Sequence, residues 1–280
     1  MTTYAQAPTV LAERETHYVE ASRFSLKSAL ASTFRNTAVL VVFFGLWQIL
    51  PKLGVINATF VPPFSTVVAA WWGLLRNGEL LSAVGASLER SMTGFGLALV
   101  IFIPLGLLIG WYRKLGVFLN PLLELCRNTA ALALIPVFIL TLGIGQVSKI
   151  SVILYACAWP VLLNTISGVR SVDPLLVKSA RSMGLKPLRL FQKVFLPAAL
   201  PTIFTGIRLA GATSILVLLA AELQGATNGL GFLINVSETN FQIPQMYAGI
   251  LTISLIGLSF NMILVRLERH FSKWRGLTYA

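Results

Sequence analysis

From Ser91 to Tyr112 the chain carries no charged residue, and almost every side chain is apolar. A helix of about 20 such residues is long enough to cross the hydrocarbon of a bilayer. The pattern recurs at about 37–56, 121–145, 150–169, 203–222 and 246–265. The first of these runs is interrupted by Pro51 and Lys52, and the third is charge-free after Arg127. In hydrocarbon each backbone amide must be satisfied within its own segment, so the runs are read as helices. The strict alternation of a membrane barrel is absent. Only 11% of the residues are charged, against about a quarter in a soluble domain, so the chain cannot cover its own surface against water. The expected fold is an all-α integral membrane protein with about six transmembrane helices. It forms one transmembrane domain, 37–265, between a terminal segment 1–36 and a tail 266–280.

A formal charge of +12 raises nucleic acid as a partner, but the basic residues punctuate apolar runs instead of forming one stripe, so none is expected. They read as topology signals, because Lys and Arg concentrate in cytoplasmic loops. With the N-terminus inside, the inner segments hold Arg14, Arg23, Lys27 and Arg35, then Arg113 and Lys114. They also hold six basic residues between Arg170 and Lys193, and Arg266, Arg269, Lys273 and Arg275. The outer segments hold only Lys52, Arg76, Arg90 and Lys149. Both termini are therefore expected in the cytoplasm. Residues 1–35 contain no apolar signal-peptide core, and the first apolar run is expected to be retained as an anchor. Cys126 and Cys157 lie in apolar runs and read as small buried residues, not as a disulfide or a zinc site.

Two loops stand out. In 57–90, Pro62-Pro63 stops one element. Phe64, Val67, Val68, Trp71, Trp72 and Leu75 then recur at helical spacing. This helix either lies in the headgroup region or packs on the bundle. The second loop, 170–201, is too charged to span and too apolar to hang free. Asp173-Pro174 pairs an N-cap with a first-turn proline. Gly184 can end that helix in a left-handed conformation, and Pro187 can start another. Leu188, Phe191 and Phe195 share a face of the second helix. Leu196-Pro197 and Pro201 are expected to close the unit. The result is a helix–Gly–helix unit with apolar knobs and basic flanks, suited to docking a partner or to lying on anionic lipid.

This loop resembles the EAA loop of binding-protein-dependent ABC importer permeases, E-A-A-x3-G-x9-I-x-L-P. Here it reads Lys178-Ser179-Ala180, Gly184, Val194, Leu196 and Pro197 at matching spacing, with Lys178 in place of Glu and Ser179 in place of Ala. Leu88-Glu89-Arg90-Ser91 with Gly94-Phe95-Gly96, Ala221-Glu222 with Gly229-Leu230-Gly231, and Glu268-Arg269 with Trp274 are similar to the nitrate/sulfonate/bicarbonate (taurine-type) branch. Asn128-Thr129-Ala130-Ala131 stands where that branch often has prolines, although Pro136 and Gly143-Ile144-Gly145 fit. The resemblance implies a bacterial inner-membrane pathway subunit. It also implies a second permease copy, two cytoplasmic ATPases and a periplasmic solute-binding protein. ATP and Mg would be held by the ATPase, with no cofactor on this chain. The implied solute is a small anion such as a sulfonate, taurine, nitrate or bicarbonate; the alternative is a vitamin or pyrimidine precursor. Met183 and Leu185, flanking Gly184, are the expected ATPase contacts.

Ionisable groups at membrane depth are costly and point to function. Glu124 and Arg127, one turn apart, could pair. They join Arg208 and Glu222 as candidate pathway or gating residues. Arg127 and Arg208 could instead snorkel to the interface, and Glu222 could cap the loop that follows it. Gly106-x3-Gly110 is a weak signal for close helix approach. There is no G-x4-G-K-[ST] phosphate loop and no H-E-x-x-H or G-x-S-x-G motif, so neither ATP hydrolysis nor other enzyme chemistry is expected. A secondary transporter is the competing class, but repeated halves around a midplane site are not evident.

Overall fold

The computed structural model describes residues 26–271. Most of the N-terminal segment, and the tail with Trp274, lie outside the described residues. Two compact units divide the chain, one ending at Phe64 and the other beginning at Ser65. In the first, helix α1 (Leu26–Lys52) covers the first expected span up to Lys52 and ends short of its expected limit at Ile56. Its apolar described stretch, 41–52, is shorter than a bilayer crossing needs. From α1, the Trp47 indole donates to the Pro62 carbonyl at 3.1 Å, and Phe44, Trp47 and Phe64 cluster with ring centroids 4.8–6.3 Å apart.

All regular elements among the described residues of the second unit are helices. Helix α2 (Phe64–Arg76) opens it. Its Val67 and Leu74 are buried, and the Trp71 indole donates to Thr252 Oγ1 at 3.0 Å. One face of this helix therefore packs on the bundle. The other leaves Trp72 half exposed, with the Arg76 guanidinium 5.2 Å from its ring. Helix α3 (Glu79–Trp111) follows, then α4 (Arg113–Arg127), a 3-10 turn at Ala131–Leu134, α5 (Ile135–Leu142) and α6 (Gln146–Arg170). After α7 (Pro174–Ser182) and α8 (Pro187–Leu190) comes a π turn, Phe191–Phe195. The chain ends in α9 (Leu196–Leu223), α10 (Leu230–Thr239) and α11 (Ile243–Phe271).

Four continuous helical paths are long and apolar enough to cross a bilayer: α3, α6, Pro187–Leu223 and α11. A fifth candidate is the pair 113–127 and 131–142, bent by 77°. This corrects the straight third span expected at 121–145. Asn128 Nδ2 donates to Glu124 O at 2.8 Å and Thr129 Oγ1 to Leu125 O at 3.1 Å, turning local side chains onto carbonyls that a continuing helix would use. Pro136, which cannot donate, then sits in the first turn of α5.

At the centre, α6 is the most enclosed of the long helices. Small residues bring its neighbours close. In lipid, association rests on van der Waals packing more than on water exclusion, which favours small side chains at contacts. A Cβ on Gly94 would lie 2.8 Å from Ile153, one on Gly106 2.7 Å from Thr165, and one on Gly110 2.8 Å from Val169. The Gly106-x3-Gly110 pair is therefore the seam between α3 and α6. On the other side, Gly206 of α9 approaches the Pro160 carbonyl and Asn164 just as closely. The main core, including Phe95, Ala98, Ile153, Cys157, Val161, Ala210 and Leu218, fills the space between α3, α6 and α9.

Candidate functional site

Opposite ends of α6 and α9 carry different chemistry. At the end reached by Arg170, the Asp173 side chain accepts from the Leu175 N–H at 2.7 Å and caps α7. Gly184 terminates the turn at φ 76°. Its N–H donates to Arg181 O at 2.9 Å, and the Leu185 N–H reaches back to Ala180 O at 3.2 Å. This pair of bonds is a Schellman cap, which needs the left-handed residue. Ala180 is buried beneath the cap, whereas Lys178 and Ser179 are exposed. Met183 is 79% exposed, and Leu175 and Leu176 are exposed with it. Leu176, Ser179 and Met183 follow helical spacing, so the apolar knobs share one outward face.

Beyond Gly184, the rings of Phe191 and Phe195 meet Trp111 edge-on at 5.1 and 4.9 Å. That face therefore packs on α3 of the same chain. Leu188, expected on the same face, is exposed; it lines an open apolar groove with Pro104, Leu108 and Trp111. Leu190 is the buried residue of α8. Leu196-Pro197 and Pro201 do not close the unit as expected. The Leu196 N–H bonds to Phe191 O in a π turn, Pro197 occupies the first turn of α9, and the helical path continues to Leu223. A proline in a first turn costs no helical hydrogen bond. Val194 and Leu196 are half-buried at this join, and Pro197 is exposed.

At the other end lies a buried polar cluster. Glu222, whose side chain has no exposed surface, pairs with Arg90 Nη1 at 2.5 Å. Ser87 Oγ lies 2.8 and 2.9 Å from the two carboxylate oxygens, and the Gly231 N–H donates to Oε2 at 2.9 Å. Ser87 in turn accepts from the Leu230 N–H at 2.8 Å. The first two amides of α10 are thus satisfied by side chains of α3 and α9, with the carboxylate at the positive end of that helix. Arg90 also donates to the Asn228 carbonyl at 2.8 Å, to Asn228 Oδ1 and to Gln146 Oε1. Lys149 Nζ donates to the carbonyls of Gly145 at 3.1 Å and Gly225 at 3.2 Å. Arg90 and Lys149, counted from sequence among the outer-segment charges, are buried members of this cluster. The usable signal was Ser87, Arg90, Ser91 and Gly94 at one-turn spacing, a polar and small face on an otherwise apolar helix.

The remaining charged candidates stand apart from this cluster. Glu124 and Arg127 pair at 2.9 Å and stay about half exposed. Arg208 Nη1 pairs with Glu268 Oε2 at 3.1 Å, with Thr205 Oγ1 3.4 Å from the other carboxylate oxygen. Among the described residues no three His, Cys, Asp or Glu side chains are grouped to hold a metal ion.

An all-helical bundle with four or five paths long and apolar enough to cross a bilayer is that of a polytopic membrane protein. The family described as "Binding-protein-dependent transport system inner membrane component" matches residues 102–275, and the chain belongs to that family. Its relatives include the putative aliphatic sulfonates transport permease protein SsuC of Bacillus subtilis (strain 168), 36% identical over 84% of this chain and 85% of the relative. The taurine transport system permease protein TauC of Escherichia coli (strain K12) is 32% identical over 86% and 90%. The bicarbonate transport system permease protein CmpB of Synechococcus elongatus is 35% identical over 66% of each. Among solved structures, a chain of the inward-facing MetNI methionine ABC transporter shares the fold, with TM-score 0.59 and 19% identity over 70% of this chain and 98% of that one. The protein is the permease subunit of an ABC importer, an inner-membrane component that forms the translocation pathway.

Proposed function

We propose that two copies of this chain form a pathway for a small oxyanion, of the class that includes sulfonates, taurine, nitrate and bicarbonate. A periplasmic binding protein delivers the solute. Two cytoplasmic ATPases, which hold ATP and Mg, grip the loop 170–201, and both termini lie on the ATPase side. The observation that carries this reading is the outward apolar face around Met183, rimmed by Lys178, Arg181 and Lys186. It sits on a Schellman-capped turn whose far side runs without interruption into α9. Met183, Leu185 and the Lys178-Ser179-Ala180 turn meet the ATPase, while Val194, Leu196 and Pro197 pass its movement on. Glu124, Arg127, Arg208 and Glu222 are the charged groups of the pathway and its gates. The anion class is supported by the names of the relatives, which include sulfonate, taurine and bicarbonate permeases.

The test is uptake into proteoliposomes holding the permease, its co-purified ATPase and its binding protein. ATP-dependent uptake that ignores a collapsed proton gradient is expected. Uptake that follows the proton gradient and needs no ATPase would overturn the reading in favour of a secondary transporter. Import of a pyrimidine or vitamin precursor with rejection of all oxyanions would overturn the solute class alone.

A further inference from the structure

Helix α4 presents three faces, and one of them does not suit lipid. Successive residues of a helix turn by about 100°. Leu115, Leu119 and Leu123 point to one side and pack on Ile109, Leu162 and Ile166. Phe118, Leu122 and Leu125 form a second, exposed apolar stripe at 79%, 57% and 69% exposure, as a surface facing acyl chains or another subunit requires. Asn120, Glu124 and Arg127 fall within about 60° of one another on the third face, and all three are exposed. In a helix that forms half of a candidate span, a charged stripe belongs in a water-filled cavity or against protein. A second observation agrees. Arg127 ends the first half of the broken span, next to the 77° bend. Backbone interrupted within a span is tolerated only where protein buries it or it lines a water-filled cavity.

We infer that the Asn120–Glu124–Arg127 face lines the translocation pathway and that the Arg127 guanidinium is an oxyanion-binding group within it. The inference rests on the oxyanion reading above and names the residue that would recognise that class. Arg127 uses its Nε to hold Glu124. Its two terminal nitrogens have no hydrogen-bond partner among the described residues. They offer parallel N–H donors that match two oxygens of a sulfonate, nitrate or bicarbonate. Glu124 fixes the guanidinium and offsets its charge between transport events. An arriving anion competes with that carboxylate, so binding is weak enough for release. The pair at Arg208 differs, because Glu268 takes a terminal nitrogen, Nη1, at 3.1 Å.

The test uses the complete importer in proteoliposomes, with labelled taurine, methanesulfonate and bicarbonate as probes. Arg127→Gln should lower uptake of the transported probe by about tenfold or more, the scale of one charged hydrogen bond. The complex should still elute intact on size-exclusion chromatography. Arg127→Lys, with charge but no planar pair of donors, should fall between. In a Cys126→Ala, Cys157→Ala background, Arg127→Cys should regain uptake after reaction with a cationic methanethiosulfonate and not with an anionic one. The transported probe should slow that reaction. Unchanged uptake and KM in Arg127→Gln, with the wild type active, would overturn the inference and leave the solute class standing. Dissociation of the Arg127→Gln complex would also overturn it, making the residue an interface group. If the wild type transports none of the three probes, the oxyanion reading falls and the role of Arg127 falls with it.

Discussion

Glu222→Leu tests the energetics of the buried cluster most directly. The substitution removes a carboxylate with no exposed side-chain surface and leaves Arg90, itself only 3% exposed, without its counter-ion. Breaking a buried pair from one side costs about 3–5 kcal/mol, because the remaining charge stays desolvated. Gly231 N–H also loses its acceptor, and an orphaned buried donor costs about 1–3 kcal/mol. Arg90 keeps Asn228 and Gln146, so the lower end of the combined range, about 4 kcal/mol, is expected. The assay is reversible unfolding in mixed detergent, followed by tryptophan fluorescence, for Glu222→Leu, Arg90→Met and the double variant. The double variant should be more stable than the sum of the two losses predicts, with a coupling energy of about 2–3 kcal/mol, at the upper end for residues in direct contact. Single-variant losses below about 1 kcal/mol, the scale of an exposed pair, or strictly additive losses would refute the argument that the pair acts as one desolvated unit.

Three further outcomes follow from the geometry. Gly106→Ala should destabilise the protein by about 1–3 kcal/mol in the same assay, as overpacking does, because its Cβ would crowd Thr165; Gly96→Ala, with nothing within 4 Å, should be neutral or stabilising. Gly184→Val should leave membrane insertion intact but weaken co-purification of the ATPase, since a β-branched residue resists φ 76°. The double variant Met183→Ala, Leu185→Ala should still bind ATP in the assembled importer, with lower uptake and a smaller rise in ATPase rate on adding loaded binding protein. If stimulation and uptake both stay at wild-type levels, those side chains are not the coupling contact.

The apolar runs located α3, α6, α9 and α11 because lipid solvation demands length and apolarity, both local properties of sequence. The capped turn at Asp173 and Gly184 was legible for a related reason: one residue type solves each local hydrogen-bond problem. The bend after Arg127 was hidden because the run beyond it carries no charge and is mostly apolar, and hydropathy is blind to Asn128 and Thr129 bonding back to their own turn. Pro136 was the readable clue, as a residue suited to starting a helix. The burial of Arg90 and Lys149 was hidden because charge counting treats every basic residue near a span end as solvated. Only the packing of α3, α6 and the α9–α10 connection reveals that their partners are Glu222 and backbone carbonyls. The Ser87–Arg90 and Glu222–Gly231 motifs were each visible, but 135 residues separate Ser87 from Glu222, and nothing local joins them.

The uninterrupted path from Pro187 to Leu223 has a mechanical consequence. The 28 residues of α9 make a rod about 42 Å long at 1.5 Å per residue. A rod held at its middle by the close contacts of Gly206 and Ala210 behaves as a lever with two arms of similar length. By that geometry a tilt of about 10° would carry each end roughly 4 Å, in opposite directions. The π turn at Phe191–Phe195 sits at the driven end and supplies slack of one residue in helical register, where the load enters. Glu222 sits at the other end, one residue from the tip. Pro201, the interior proline of α9, lies in the second turn near the driven end, and the helix runs on from it to Leu223. A push on the loop would therefore arrive as strain on a hydrogen bond to Ser87 or Gly231, whose breaking frees the first turn of α10.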